Sequence, residues 1–326
     1  MPADTVRPLD PVPETFAGDS LSRTVKRLFH ATRPKFFTAS ALPVMAGTAW
    51  GASVGAQFSW YVFALALIAT VCVQAAANAL NDVGDEQIGT DPRNTQRIYP
   101  YTGGSRFIQT GILSQAAMAK LGITLIAVAA LAGLALFAAR GPLVIAFGIV
   151  GILLGVTYSL GPVKLASLGL GEATIAIAFG LLPVTGAAWL QGAPIDASLI
   201  LFSIAIGGWV ENILLINEVP DMEADGASGK RTFPVRFGLA ATANLYLAVN
   251  IAAAVIVLLL TVTGDLPLLA PLVPLGLLVL ALKAARGIRV GIADRPAMTQ
   301  SIEATLAIQA IGSIWLAACA LYGVWF

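Results

Sequence analysis

Apolar residues run in blocks of about twenty along most of the chain, parted by short polar stretches. Each block is long enough to cross a hydrocarbon layer of ~30 Å as a helix. Nine blocks are placed near 36–56, 59–83, 116–138, 142–160, 168–190, 197–219, 238–262, 267–284 and 303–325. Residues 1–35 ahead of them are polar and carry Arg7, Arg23, Lys26, Arg27, Arg33 and Lys35. The pattern predicts an all-α polytopic membrane protein: an N-terminal tail over 1–35, then one domain of nine transmembrane helices over 36–326. A cleavable signal peptide is not expected, because the first apolar block starts only near Phe36, after a polar, proline-containing tail.

Composition agrees with this pattern. Hydrophobic residues make up 57% of the chain and charged residues 11%, far from the balance of a soluble surface. The net charge of +1 gives no reason to expect nucleic acid as a partner. Cys72 and Cys319 lie in apolar blocks without a CxxC or Cys/His spacing, so neither a disulfide nor zinc is indicated. The single histidine, His30, reads as a solvated or interfacial side chain.

Charge placement then sets the orientation. With the N-terminus in the cytoplasm, the cytoplasmic segments are the tail, 84–115, 161–167, 220–237 and 285–302. Counting adjoining block ends, these hold every Lys and Arg except Arg140, or 18 of 19. Such segregation is what the positive-inside rule describes. The expectation is an integral protein of a bacterial plasma (inner) membrane, its N-terminus and functional loops facing the cytoplasm.

Two polar stretches at the mouths of apolar blocks carry the candidate chemistry. In QAAANALNDVGDEQIGTDPRNTQRIYPYTGGSR (74–106), Asn78, Asp82, Asp85 and Asp91 follow at offsets of four, three and six. The first three fall on one helix face. In NEVPDMEADGASGKRTFPVR (217–236), Asn217, Asp221 and Asp225 recur at four and four, although Pro220 is expected to interrupt the helix there. Both stretches lie on the cytoplasmic side, which suggests two related halves facing each other around a central cavity. Carboxylates at a membrane edge are costly unless they are paired, bound to metal or facing water. Hard oxygen ligands of this kind suit Mg²⁺, which is commonly shared with substrate phosphates. Two such rows would clamp a diphosphate, with Arg97, Arg106, Lys164, Lys230 and Arg231 neutralising its outer oxygens. The plainer reading is a set of solvated loop acids balanced by nearby cations. Glu211, inside the sixth block, is either a substrate-facing acid or a helix-to-helix hydrogen-bonding group; Glu172 is a weaker case of the same kind.

A diphosphate at the mouth of an apolar cavity points to an isoprenyl diphosphate donor, its chain lying among the helices in the bilayer. Metal and cations would stabilise the departing diphosphate. A site that excludes water would keep the allylic cation for an electron-rich acceptor. Tyr158 is a candidate for cation–π contact with it. On this reading Asp82, Asp85, Asp221 and Asp225 are the catalytic acids.

These residues resemble the UbiA superfamily of intramembrane prenyltransferases from Arg33 to the C-terminus. The resemblance implies nine helices around a cavity, with two Asp-rich motifs binding Mg²⁺ and an isoprenyl diphosphate: Asn78, Asp82, Asp85 and Asp91 in the first, Asn217, Asp221 and Asp225 in the second. Within the superfamily the chain is most similar to the 1,4-dihydroxy-2-naphthoate prenyltransferases of menaquinone biosynthesis. That likeness is carried by RPKFFTASALPVMAGTA (33–49), NALNDVGDEQIGTD (78–91) and YSLGPVKLASLGLGEATIAIAFG (158–180), the last making Lys164 a diphosphate contact. GKRTFPVRFG (229–238) is shared more widely. Glu86 stands where a four-four motif would have its last acid, which leaves Asp85 and Glu86 as alternatives for the third ligand. The branch implies transfer of a polyprenyl chain to an aromatic acceptor with loss of its carboxylate. Competing readings are another acceptor (4-hydroxybenzoate, homogentisate, a porphyrin or a glycerol phosphate) and a cation-coupled transporter. A transporter would hold ionisable groups near the bilayer midplane, whereas here Glu211 is the main acid away from the cytoplasmic face.

Overall fold

The computed structural model describes residues 10–55, 58–159 and 165–325, and among them there is no strand. After α1 (Leu21–Ala31), each apolar block overlaps a helical segment: α2 (Thr38–Val54), α3 (Trp60–Ile88), α4 (Gln115–Arg140), α5 (Leu143–Ser159), α6 (Gly171–Leu190), α7 (Ala197–Ala227), α8 (Phe233–Val262), α9 (Leu272–Val290) and α10 (Arg295–Trp325). By length and composition, six runs can cross a membrane among the described residues. One of these, Leu272–Tyr322, covers two packed helices that part at Gly291, where φ is 63°.

Several helices overrun their blocks, because hydropathy marks the hydrocarbon layer and a helix continues past it into water. α3 reaches Ile88 and α7 reaches Ala227, passing through Pro220 without a break. The expected loop 285–302 shrinks to a short turn at Gly291–Asp294.

α7 is the central post. It packs against α2, α6, α8 and α10, whereas α4 packs mainly on α3 and leaves Ile123, Leu131 and Leu134 exposed. The α6–α7 crossing is very close: a Cβ on Gly180 would stand 2.1 Å from the Cα of Gly207. Small residues of this kind let membrane helices approach to backbone contact. α6 relaxes into a π-helical stretch at Ala176–Leu181, a departure often found beside functional sites.

The polar segments fold against the ends of these helices. Gly89, at φ 76°, ends α3, and its N–H donates to the carbonyls of Asp85 and Glu86. This left-handed cap turns the chain sharply, so residues 90–106 double back over the mouth of α3. α1 lies beside that loop, its basic side chains folded onto the preceding segment: Arg23 donates to Thr15 O (2.9 Å), and Arg27 to Gly18 O (2.8 Å).

Candidate active site

A cavity of about 560 Å³ opens between α3, α5, α6 and α7, roofed by the 89–104 loop. One end is polar, lined by Asn78, Asn81, Asp85, Asp91, Asn217, Asp221, Asp225 and Lys230. The other is apolar, with Val73, Leu154, Ile175, Phe179, Ile213 and Leu214 in its wall. All members of the two acid rows except Asp82 therefore face one chamber.

On α3, Asn78, Asn81 and Asp85 face the chamber at offsets of three and four, the spacing of one helix face. Asn78 Nδ2 donates to Thr32 O at 2.9 Å, which leaves its amide oxygen for another partner. Asp82 lies at the edge of this face and is buried behind the wall, where its Oδ2 accepts from Ser105 N (2.9 Å). Asp91 returns to the same place by the turn at Gly89. The meeting point is Gly104, at φ 76°: a Cβ there would stand 2.4 Å from Asp91 Oδ2 and 3.1 Å from Asp82 Oδ1. Both of those oxygens are buried without a hydrogen-bond partner. Burial, then Asp82, Asp85 and Asp221, hold the Asp91 carboxyl well above the usual carboxylate range against Arg106.

α7 supplies Asn217, Asp221 and Asp225 on one uninterrupted face. Asp221 is held from across the chamber, by Asn94 Nδ2 on Oδ1 (2.6 Å) and Gly103 N on Oδ2 (3.2 Å). The two rows are joined by Lys230, whose Nζ is 2.6 Å from Asp85 and 3.4 Å from Asp225. Burial opposes its charge, but the two carboxylates prevail and keep the ammonium protonated well above the ordinary lysine range. Thr90 Oγ1 adds a second tie, donating to Ser228 Oγ at 2.9 Å.

The donor set fits a hard divalent cation. Buried oxygens of Asp82, Asp91, Asn94, Asn217 and Glu218 have no hydrogen-bond donor, and carboxylate and amide oxygens are the ligands Mg²⁺ prefers. Among the described residues no three His, Cys, Asp or Glu side chains close into a cage by themselves.

Other expected contacts fall elsewhere. Arg97 and Arg106 do not line the cavity: Arg97 forks onto Asp10, and Arg106 donates to Asp91 O (2.6 Å). A guanidinium settles on the nearest fixed acceptors, and these are carboxylate and carbonyl groups of the loop itself. Arg231 is exposed, its backbone N–H donating to Ser167 O (3.0 Å). Glu211 is buried in α7, outside the chamber wall, on a different face from Asn217. Glu86 accepts from Gln109 (2.7 Å) and turns away, so Asp85 is the one of the two that faces the chamber. Tyr158 lines the cavity, and Lys164 lies outside the described residues. Asn81, Asn94, Glu218 and the Thr102–Gly104 backbone are additional lining groups. The Gly103–Gly104 pair was the one legible signal for the last; Asn94 meets Asp221 127 positions away, which no local pattern encodes.

Residues 40–298 match the UbiA prenyltransferase family. The chain belongs to that family. As a UbiA protein it is an enzyme, a prenyltransferase. It is 32% identical over 259 residues to the 1,4-dihydroxy-2-naphthoate octaprenyltransferase of Haemophilus influenzae, covering 72% of this chain and 80% of that one. It is 30% identical over 261 residues to the enzyme of the same name from Mycobacterium tuberculosis, covering 79% and 85%. The fold is that of a UbiA homologue from Archaeoglobus fulgidus solved with GPP and Mg²⁺, at a TM-score of 0.64 and 16% identity over 92% of this chain and 100% of that one.

Proposed function

We propose that this enzyme transfers a polyprenyl group from an isoprenyl diphosphate to 1,4-dihydroxy-2-naphthoate, with Mg²⁺ as cofactor. The reading rests on one observation above all: Asn and Asp side chains of two rows from distant parts of the chain line the polar end of a cavity whose other end is apolar. The names of the relatives support the naphthoate acceptor, and the GPP and Mg²⁺ of the solved homologue support the donor class and the metal.

The diphosphate head occupies the polar end and the prenyl chain runs along Leu154, Ile175, Phe179 and Leu214. Asn78, Asp82, Asp85, Asp91, Asn217, Asp221 and Asp225 are the metal ligands in this reading. Bound there, Mg²⁺ supplies positive charge to a leaving diphosphate. Lys230, already between the rows, adds a cation that needs no separate binding step. The donor's allylic C–O bond breaks and its electron pair leaves with the diphosphate. The ring carbon bearing the carboxylate forms the new C–C bond, and the C–CO₂⁻ bond breaks, its electrons returning to the ring as CO₂ departs. The apolar wall and Tyr158 keep water from the cation and face it with an aromatic ring. In the bilayer, the proposal includes nine spans over 36–326, the N-terminus and both acid rows on the cytoplasmic side.

The test is turnover by purified protein given a polyprenyl diphosphate, Mg²⁺ and a panel of acceptors. Prenylated naphthol with CO₂ release on the naphthoate, lost when EDTA is added, is the expected result. Turnover of 4-hydroxybenzoate or another acceptor alone would overturn the acceptor, and turnover in EDTA the metal.

A further inference from the structure

Asp10 precedes every residue matched to the family, yet it connects to the second acid row through three contacts. Its carboxylate grips the Arg97 guanidinium, with Oδ1 and Oδ2 both 2.6 Å from Nη2 and Oδ1 3.1 Å from Nε. The other Arg97 nitrogen, Nη1, donates to Asn94 O at 2.6 Å. Asn94 in turn donates its side-chain amide to Asp221 Oδ1 at 2.6 Å. Arg97 is thereby clamped on both sides, because its own carbonyl accepts from Arg295 Nη2 (2.6 Å). Arg106 approaches the same carboxylate, with Nε 3.8 Å from Asp10 Oδ1, while it holds the carbonyl of Asp91.

Asp10 is thus the counter-charge for two buried arginines, each of which braces the backbone of a chamber residue. Removing one partner from a buried ion group leaves the other charge uncompensated. Arg106 already sits beside Asp91, so loss of Asp10 would leave that carboxylate as its alternative partner, in competition with a metal. Outer contacts of this type fix the ligand rather than touch the substrate.

We propose that Asp10 is a positioning residue, acting through Arg97 and Asn94 to hold Asp221 in its metal-binding orientation. The proposal rests on the reading of Asp221 as a metal ligand. It makes the N-terminal segment a working part of the prenyltransferase site.

The experiment uses the full chain, with initial rates measured against Mg²⁺ at saturating donor and acceptor and, in the absence of acceptor, Mn²⁺ affinity read by electron paramagnetic resonance, which shifts in parallel. Asp10→Asn raises the Mg²⁺ concentration for half-maximal rate about tenfold or more, as loss of outer partners of metal ligands does elsewhere, and leaves kcat at saturating Mg²⁺ nearly unchanged. Asp10→Glu restores the wild-type midpoint. Asn94→Ser shifts the midpoint in the same direction, and adding Asp10→Asn to it produces no further shift. Asp19→Asn, an exposed acid of the same segment, behaves as wild type. A wild-type midpoint in Asp10→Asn, a fall in kcat without a midpoint shift, or full multiplication of the two defects in the double variant overturns the relay. Should Asp10→Asn fail to accumulate folded, Arg97→Lys keeps the charge but loses the fork, and its midpoint reads the same proposal. A wild-type enzyme indifferent to Mg²⁺ overturns the metal reading and the relay together; a Mg²⁺-dependent wild type with unshifted variants overturns the relay alone.

Discussion

The two acid rows reach the same chamber by different means. Asn217, Asp221 and Asp225 stand on one continuous helix, so backbone hydrogen bonds inside α7 set their spacing. The first row is split: Asn78, Asp82 and Asp85 stand on α3, whereas Asp91 arrives through the Gly89 turn and is seated by Gly104. A helix-borne row keeps its geometry as long as the helix is folded. A loop-borne ligand depends on every contact that holds the loop, and here those contacts run out to Arg97, Arg106 and Asp10. The α7 row therefore keeps its spacing by itself, whereas the looped row depends on the contacts of the 90–106 loop.

Substitutions that separate the two rows test this contrast. The largest effect is expected from the helix-borne row: Asp221→Ala lowers kcat by about 10³-fold, since a charge-stabilising group at the reacting centre is lost, while thermal melting shows a folded protein. Next comes Gly104→Ala. Its methyl would press into the Asp91 carboxylate from a left-handed backbone, so Asp91 is displaced and kcat/KM falls about 10²-fold, while the α7 row keeps its helical spacing. Lys230→Met acts on the join between rows. Without metal it destabilises by about 3 kcal/mol, because Asp85 and Asp225 lose their shared cation, and added Mg²⁺ raises Tm more than in the wild type. Glu86→Gln is expected to change the rate least, since Glu86 faces Gln109 rather than the chamber.

The same contrast explains what could be read from the chain. The α7 row was fully visible as a four-four repeat because a single helix period carries it, and Pro220 did not disturb it. On α3 the period was visible, but not the small rotation that sends Asp82 behind Gly104 and brings Asn81 forward. Asp91 was legible as an acid at the right place in sequence, and its return to the chamber required a turn whose only local sign was Gly89. Arg97 and Arg106 misled because a guanidinium near an acid motif looks like a phosphate contact, and only the fold reveals Asp10 as its counter-ion. The apolar blocks located the helices but not their ends, since α3, α7 and α10 run on where hydropathy falls.

The central claim is that both rows hold metal against one diphosphate head. Its most direct test is Mn²⁺ in place of Mg²⁺, with electron paramagnetic resonance reading bound metal and its coupling to phosphorus of farnesyl diphosphate. The account predicts a phosphorus-coupled Mn²⁺ signal in the wild type that is lost in Asp91→Asn and in Asp225→Asn alike. A coupled signal that survives either substitution unchanged, or a diphosphate that binds as tightly with no metal present, would contradict it.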